Sequence, residues 1–216
     1  MPRRSPKAVD AQSLLLGRLN PCLPTAAPCP PAGPEWLHEI KHDGYRMLAH
    51  HDGERARLIS RRGLDWAWRF PMIVAAIKAL AVRSCIIDGE LIACDANGFA
   101  DFQLLRWRRH DDPAILCAFD LIEMDGRDLR DEPIETRKAE LARLLAECQP
   151  LALVLNRTYD DPGPVVFDHA CKLGREGIVS KRRGSRYARG RTHDWLKVKN
   201  RDAPAVQREA EEHWRG

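Results

Sequence analysis

Two long apolar segments, CIIDGELIACD at residues 85–95 and AILCAFDLIEM at residues 114–124, constrain the fold most. Each is rich in residues that favour buried strands, and each also contains carboxylates. The segment ADFQLLRWRR between them is expected to form a helix. Strands this apolar belong at the centre of a sheet, so we expect the chain to fold around them.

Hairpin and helix signals surround these two strands. YRMLAHHDGERARLIS predicts a hairpin that turns at Asp52-Gly53, and FPMIVAAIKALA has helical spacing. PIETRKAELARLLAEC predicts the clearest helix, with Ile134, Leu141, Leu144 and Leu145 in an apolar stripe opposite charged positions. Further along the chain we expect the strand LALVLN, the helix PVVFDHACKLG with Gly174 as its C-cap, and the strands GIVSKRR and WLKVK.

The two ends of the chain differ from this pattern. Six prolines lie between Pro21 and Pro34, so residues 1–34 are predicted to form an extended leader without regular structure. The folded core is expected to start near Glu35 and to run to about residue 200. Residues 201–216 are expected to form a polar C-terminal tail.

Charge and hydropathy exclude several classes of protein. The 216 residues are 31% charged and 44% hydrophobic, and no apolar run approaches the length of a membrane span or a secretory signal. We therefore expect a globular, cytoplasmic protein with no membrane partner. The net charge is +4, and basic residues are concentrated in the last third of the chain, which permits a polyanionic partner. The alternative for that stretch is a solvated charged face.

The cysteines and histidines predict no structural metal or disulfide framework. The seven cysteines are an odd number without a CxxC spacing, and the eight histidines lack a metal-ligand pattern.

The segment EIKHDGYR at residues 39–46 carries the first chemical signal. Lys41 becomes a nucleophile if neighbouring cations or burial lower its pKa. Asp43 and Arg46 are then expected to orient substrate groups, while Gly44 lets the backbone approach a ligand closely. The alternative is an exposed charged hairpin.

Two lysines near the end of the chain form a second candidate site. Lys197 and Lys199 alternate on one face of the strand WLKVK, so both ammonium groups can converge on one phosphate cluster. Their charge is expected to lower the pKa of Lys41 by repulsion. The alternative is the polar face of an edge strand.

Carboxylates at strand ends and one aromatic residue complete the candidates. Glu90 and Glu176 are placed to hold Mg²⁺ or a ribose hydroxyl. For Glu176, the alternative is an ordinary surface residue. Phe119 alternates with an apolar run, so the residues alone favour a core position over a cofactor contact.

These segments follow one another in the order of a known family. The Lys41 segment is followed by SRRG at 60–63, DGE at 88–90, FD at 119–120, EGIVSK at 176–181 and WLKVK at 195–199. The series resembles motifs I, Ia, III, IIIa, IV and V of the covalent nucleotidyltransferases, in the form found in ATP-dependent DNA ligases. It is most similar to the ligase domain of the bacterial end-joining ligase D, and it covers about residues 35–200.

The resemblance implies an α+β fold, the ligase-type nucleotidyltransferase (adenylation) domain, with twisted, mainly antiparallel sheets flanked by helices around a nucleotide cleft. It implies that Lys41 is the catalytic nucleophile, that Phe119 stacks on adenine, and that Glu90 and Glu176 bind metal. The implied ATP-binding residues are Glu39, Lys41, Arg46, Arg61, Glu90, Phe119, Lys181, Lys197 and Lys199. Of these, Arg46 and Arg61 would bind the nucleotide sugar or the 5′-phosphate of a nick, and Lys181 would contact the nucleotide phosphate. The implied supporting motif residues are Asp43, Gly44, Asp88, Asp120 and Trp195.

The family's activity follows from these roles. Lys41 would attack the α-phosphate of ATP to form lysyl-AMP, and AMP would move to a DNA 5′-phosphate that a 3′-hydroxyl then attacks. The resemblance implies Mg²⁺ (or Mn²⁺) as the metal and nicked or broken double-stranded DNA as the partner, in DNA repair and recombination by non-homologous end joining. The expected location is the bacterial cytoplasm, in association with the nucleoid.

The chain departs from the family after motif V. Ligases of this kind continue into an OB-fold domain with motif VI, whereas 17 residues follow Lys199, too few for five strands. We therefore expect an OB-fold domain or an end-joining protein to act in trans. Two alternatives stay open: an RNA ligase or capping-type nucleotidyltransferase, or a non-catalytic remnant that binds nucleotide or DNA ends.

Overall fold

The structure is a computed structural model, and it describes residues 20–95, 100–106, 114–148 and 151–208. The described chain forms two sheets, most of whose strand pairs are antiparallel. The strands are β1 (Leu23–Ala26), β2 (Trp36–Lys41), β3 (Tyr45–His51), β4 (Ala56–Ser60), β5 (Cys85–Ala93), β6 (Ala114–Met124), β7 (Arg127–Asp128), β8 (Leu153–Leu155), β9 (Thr158–Tyr159), β10 (Gly177–Arg182) and β11 (Arg191–Lys199). The helices are α1 (Pro71–Lys78), α2 (Phe102–Arg106), α3 (Ile134–Cys148) and α4 (Gly163–Lys172).

The first sheet has the order β1-β11-β10-β2-β9, and the second has the order β4-β3-β5-β6-β7 with β8 parallel to β6. The two apolar segments are β5 and β6, which pair with each other at the centre of the second sheet. This confirms their predicted position and the α+β fold with mainly antiparallel sheets.

The predicted hairpin and helices also form. β3 and β4 turn at Gly53, whose positive φ of 85° suits glycine. The helix expected in ADFQLLRWRR is present as α2, and its last residues lie outside the described part of the chain. Gly174 follows α4 with a φ of 64°, as a C-cap glycine does.

The prediction that the proline-rich leader has no regular structure is wrong for residues 23–26. Strand β1 pairs in parallel with β11, and Cys22 beside it is fully buried, so the core begins before Glu35. Pro24 is tolerated because β1 is an edge strand, where a missing N–H costs no ladder hydrogen bond. Residues 1–19 of the leader and 209–216 of the tail lie outside the described residues.

Among the described residues, three apolar clusters hold the layers together. The largest packs α1 and α3 against the second sheet. A second joins the two sheets through residues such as Leu37 and Trp195 from one and Leu48 and Ile122 from the other. The third packs α4 on β10 and β11. The second cluster fixes how the two sheets face each other, and so it positions the cleft between them.

Candidate active site

An open cleft lies where the two sheets meet. Its inner part has a cavity volume of about 210 Å³ and opens to solvent. Strands from both sheets supply its walls, and the outer part continues past the end of β11. All nine predicted nucleotide-binding residues line it: Glu39, Lys41, Arg46, Arg61, Glu90, Phe119, Lys181, Lys197 and Lys199.

Lys41 ends β2 and lies opposite Gly177, the first residue of β10. This register brings Glu176 beside it, with 2.5 Å between Nζ of Lys41 and Oε1 of Glu176. Nζ of Lys199 is 4.0 Å from the same oxygen. Burial opposes the charge on Lys41, but Glu176 and Glu90 outweigh it and raise the pKa of Lys41. The expected net lowering of this pKa is therefore wrong, because the carboxylates around Lys41 together raise the pKa more than burial lowers it.

The two carboxylates predicted to bind metal share the environment of Lys41. Burial raises the pKa of Glu90 to about 8, although Lys41 and Arg46 act in the opposite direction. Burial also raises the pKa of Glu176, again against Lys41. Within the described ranges no group of three or more His, Cys, Asp or Glu residues is arranged to hold a metal ion. Two carboxylates nevertheless fit Mg²⁺, which usually takes one or two of them together with substrate phosphates and water.

Arg46 is fixed by a buried carboxylate. Its Nε and Nη2 donate to Oδ1 and Oδ2 of Asp88 at 2.9 and 2.6 Å, and the Tyr187 hydroxyl donates to Oδ2 at 2.6 Å. The guanidinium carbon of Arg46 lies 5.4 Å from the centre of the Phe119 ring. Asp88 thus holds Arg46 against the aromatic wall of the cleft. Arg61 lines the same cleft from an exposed position.

The aromatic wall consists of Phe119 and Trp195, whose rings meet edge to face. Lys181 is buried against it, with Nζ 4.7 Å from the Phe119 ring centre and 4.2 Å from that of Trp195. Burial lowers the pKa of Lys181, and Glu39 opposes that effect. Phe119 is half-buried and lines the cleft, so it is not a purely core residue. The expected phosphate contact of Lys181 stays a prediction.

A buried ion pair joins Asp120, the neighbour of Phe119 on β6, to helix α3. Arg137 of α3 donates through Nε and Nη2 to Oδ1 and Oδ2 of Asp120 at 2.7 and 2.9 Å, and both side chains are fully buried. The expectation that the charged residues of this helix lie opposite its apolar stripe is wrong for Arg137 and Lys138, which are buried. Their spacing from Ile134 and Leu141 places them on the stripe, and this periodicity was the signal for them.

Gly44 and Asp43 have neighbours that the sequence did not indicate. A Cβ at Gly44 would lie 2.1 Å from the carbonyl oxygen of Leu91, so the glycine allows close approach of β5 rather than of a ligand. Asp43 pairs with Arg208, whose Nη2 lies 2.6 Å from Oδ2 of Asp43. Residues 204–208 are helical, so part of the predicted polar tail packs at the mouth of the cleft.

A hydrogen-bonded asparagine fixes the tautomer of His42. Nδ2 of Asn156 donates to Oε2 of Glu39 at 3.3 Å and to the Ile40 carbonyl at 3.2 Å, so Oδ1 is the acceptor for Nε2 of His42 at 3.1 Å. Nε2 of His42 therefore carries the proton. Burial lowers the pKa of His42, which keeps the ring neutral. Neither residue was among the sequence candidates, and no motif pointed to Asn156.

The sequence model of a protein family, the ATP dependent DNA ligase domain, matches residues 29–199 of the chain. The multifunctional non-homologous end joining protein LigD of Pseudomonas aeruginosa is 37% identical over 173 residues, which cover 79% of this chain and 20% of that protein. A DNA ligase of Pyrobaculum neutrophilum is 36% identical over 176 residues, covering 74% of this chain and 30% of that protein. The chain thus spans 20% to 30% of the length of these relatives.

Solved structures agree with these matches. The mycobacterial DNA ligase D complexed with ATP and MES superimposes with a TM-score of 0.75 at 31% identity, over 85% of this chain and 60% of that one. The ligase domain of LigD from M. tuberculosis gives a TM-score of 0.76 at 30% identity, over 84% of this chain and 60% of that one.

The described part of the chain has no helix long and apolar enough to cross a membrane.

Proposed function

The chain belongs to the ATP-dependent DNA ligase family, and we propose that it acts as the adenylation domain, with Lys41 as the residue that becomes linked to AMP. The observation that supports this most is the position of Lys41 at the cleft, where the ion pair with Glu176 and the cationic face of β11 lie together. ATP is then the substrate that donates AMP.

The chemistry requires that Lys41 lose a proton. Its neutral Nζ attacks the α-phosphorus, a P–N bond forms, and the bond to the bridging oxygen breaks so that pyrophosphate leaves. Glu176 holds Lys41 as a cation before the reaction, and the proton would leave Lys41 to water in the open cleft. Lys197 and Lys199 line the cleft beside Lys41 and would neutralise phosphate charge.

We propose that Glu90 and Glu176 hold a divalent cation such as Mg²⁺. Two buried carboxylates with raised pKa values are groups whose ionised form gains from a nearby cation. Bound there, the ion would supply charge stabilisation at the phosphates. Phe119 would form the wall on which the adenine ring stacks, and the guanidinium of Arg46, 5.4 Å from the ring centre, would lie beside it.

We propose that this chain, like the longer proteins of its family, also takes part in the later steps of ligation. AMP would pass from Lys41 to the 5′-phosphate of a nick or break, and a 3′-hydroxyl would displace AMP as the backbone closes. Exposed basic residues such as Arg61 and Arg62 at the cleft mouth would contact the DNA backbone. We propose that an OB-fold domain or an end-joining protein takes part in these steps, in DNA repair in the bacterial cytoplasm.

A two-stage labelling experiment tests this function. The chain is incubated with α-labelled ATP and Mg²⁺, freed of nucleotide, and then mixed with a duplex that has one 5′-phosphorylated nick. Label is expected first on the protein and then on the 5′-phosphate strand, with sealing raised by an OB-fold domain from a relative. Labelling by GTP instead of ATP, or transfer to an RNA nick alone, would contradict the proposed function as an ATP-dependent DNA ligase.

A further inference from the structure

Tyr187 lies in the loop between β10 and β11, outside the sequence motifs. Its side chain is buried, and its ring meets the ring of Trp195 edge to face, with 5.9 Å between the ring centres. Its backbone N–H donates to the carbonyl oxygen of Arg130 at 2.8 Å. These contacts fix both the ring and the backbone of Tyr187 beside the aromatic wall of the cleft.

The hydroxyl of Tyr187 reaches a carboxylate of the second sheet. It donates to Oδ2 of Asp88 on β5 at 2.6 Å, and Asp88 is fully buried. Burial raises the pKa of Tyr187, so the hydroxyl keeps the proton that it donates. Among the described side chains, the other donor to this carboxylate is Arg46, through Nε and Nη2. Tyr187 therefore fixes the plane of the carboxylate to which Arg46 is bound.

This arrangement leaves one nitrogen of Arg46 for a ligand. Nε and Nη2 are bound to Asp88, and Nη2 also lies 3.4 Å from the Tyr187 hydroxyl oxygen. No described residue accepts from Nη1, which carries two N–H donors. Arg46 lines both the inner and the outer part of the cleft, so Nη1 is the donor that can meet a nucleotide there. Because the guanidinium is planar and held at two points, the direction of Nη1 follows from that of the Asp88 carboxylate.

We propose that Tyr187 is a positioning residue for nucleotide binding: its hydroxyl holds Asp88, and through Asp88 it directs Nη1 of Arg46 toward an oxygen of the bound nucleotide. An arginine that is already oriented loses less conformational freedom when it binds a ligand. Without the hydroxyl, the carboxylate could turn about its Cβ–Cγ bond, and the nucleotide itself would have to order Arg46. The inference rests on the proposed ATP-binding function of the cleft.

Equilibrium dialysis with labelled ATP, without Mg²⁺ so that no adduct forms, measures the Kd of the full chain. Tyr187→Phe removes the hydroxyl and keeps the ring, and it is expected to raise the Kd about fivefold. Tyr159→Phe is the matched control and should leave the Kd unchanged, because Tyr159 is exposed on β9 and does not line the cleft.

A double variant tests whether the hydroxyl acts through Arg46. Arg46→Lys keeps the positive charge and removes the planar fork that Asp88 holds. Adding Tyr187→Phe to Arg46→Lys should therefore cause little further loss of ATP binding, since interacting residues are not additive.

The rate at which Lys41 is labelled by saturating ATP and Mg²⁺ separates positioning from general damage to the cleft. In Tyr187→Phe this rate should stay within about twofold of the wild type, because a residue that only binds substrate affects half-saturation and not the maximal rate. The ion pair of Lys41 with Glu176 does not involve Tyr187.

The outcomes separate the two levels of the account. A wild-type chain that does not bind ATP contradicts the proposed function. When the wild type binds, the role of Tyr187 is overturned by an unchanged Kd in Tyr187→Phe, by the same loss again in the Arg46→Lys background, or by a saturating rate that falls as much as the affinity. A Tyr187→Phe chain that does not fold would show a structural role and would also overturn it.

Discussion

Nζ of Lys41 lies 2.5 Å from Oε1 of Glu176, so the proposed nucleophile is held as one half of a mostly buried ion pair. This relationship raises the pKa of Lys41 in spite of burial. Self-adenylation would thus begin from a charged lysine, and the proton must leave before Nζ can attack.

Removing the charge of Glu176 is expected to lower the pKa of Lys41, because the carboxylate is the strongest group that favours the ammonium form. In Glu176→Gln, Lys41 should react with an amine-modifying reagent at lower pH than in the wild type. Competitive labelling followed by peptide mapping measures this. Glu147→Gln, which alters an exposed partner of Arg143, is the matched control. A labelling curve for Lys41 that stays in place or moves to higher pH contradicts the prediction.

The raised pKa of Glu90 predicts a pH-dependent stability. Its folded value of about 8 lies above the ordinary value of 4.5, so between these values the folded chain keeps a proton that the unfolded chain has lost. This group therefore makes the free energy of unfolding fall as pH rises, by up to about 1.4 kcal/mol per pH unit. Glu90→Gln should remove the fall, so its stability relative to the wild type should rise from pH 5 to pH 8. Urea unfolding of both proteins at several pH values, with metal chelated, measures this. A difference in unfolding free energy between variant and wild type that stays constant with pH would contradict the prediction.

The Asp120–Arg137 pair is expected to be strongly coupled to folding. Arg137→Met would leave the Asp120 carboxylate buried without its partner, which costs about 3–5 kcal/mol of unfolding free energy. Arg143→Met on the same helix removes exposed ion pairs only and should leave stability nearly unchanged. Chemical denaturation of both variants tests this, and equal effects would refute the distinction.

Gly44 is expected to tolerate no side chain. The Cβ of Gly44→Ala would lie 2.1 Å from a backbone oxygen of β5, so Lys41 and β5 could not keep their positions, at a cost of about 1–3 kcal/mol. Gly126→Ala has open space and only an unfavourable φ of 87°, so it should cost less and leave nucleotide binding intact. Thermal unfolding and ATP binding of both variants test this. A larger loss of stability or of ATP binding in Gly126→Ala than in Gly44→Ala would contradict the prediction.

Much of the fold and the membership of the site were predictable from sequence. Strands β5 and β6 follow from apolar runs, and residues such as Lys41, Glu90 and Lys197 follow from ordered motifs. Strand β1 was not predicted, because its partner β11 is about 170 residues away and the local proline content argues against a strand.

The charge environment of Lys41 could not be predicted from the sequence. Whether its nearest charged neighbour is a lysine or Glu176 depends on the register of β2 and β10, which no local pattern specifies. Lys138 and Asn156 stand outside the motifs, and only the fold brings them to Glu39. Their polar contacts come from long-range packing, whereas motifs record residues near one another in sequence.

The most direct test of the account is intact-protein mass spectrometry after incubation with ATP and Mg²⁺, with peptide mapping of the product. The wild type is expected to gain the mass of one AMP, on Lys41 and linked through nitrogen. Lys41→Ala should gain none, while the exposed-lysine control Lys172→Ala should be labelled as the wild type is. Absence of the adduct from the wild type, or an adduct that persists in Lys41→Ala, would contradict the central claim.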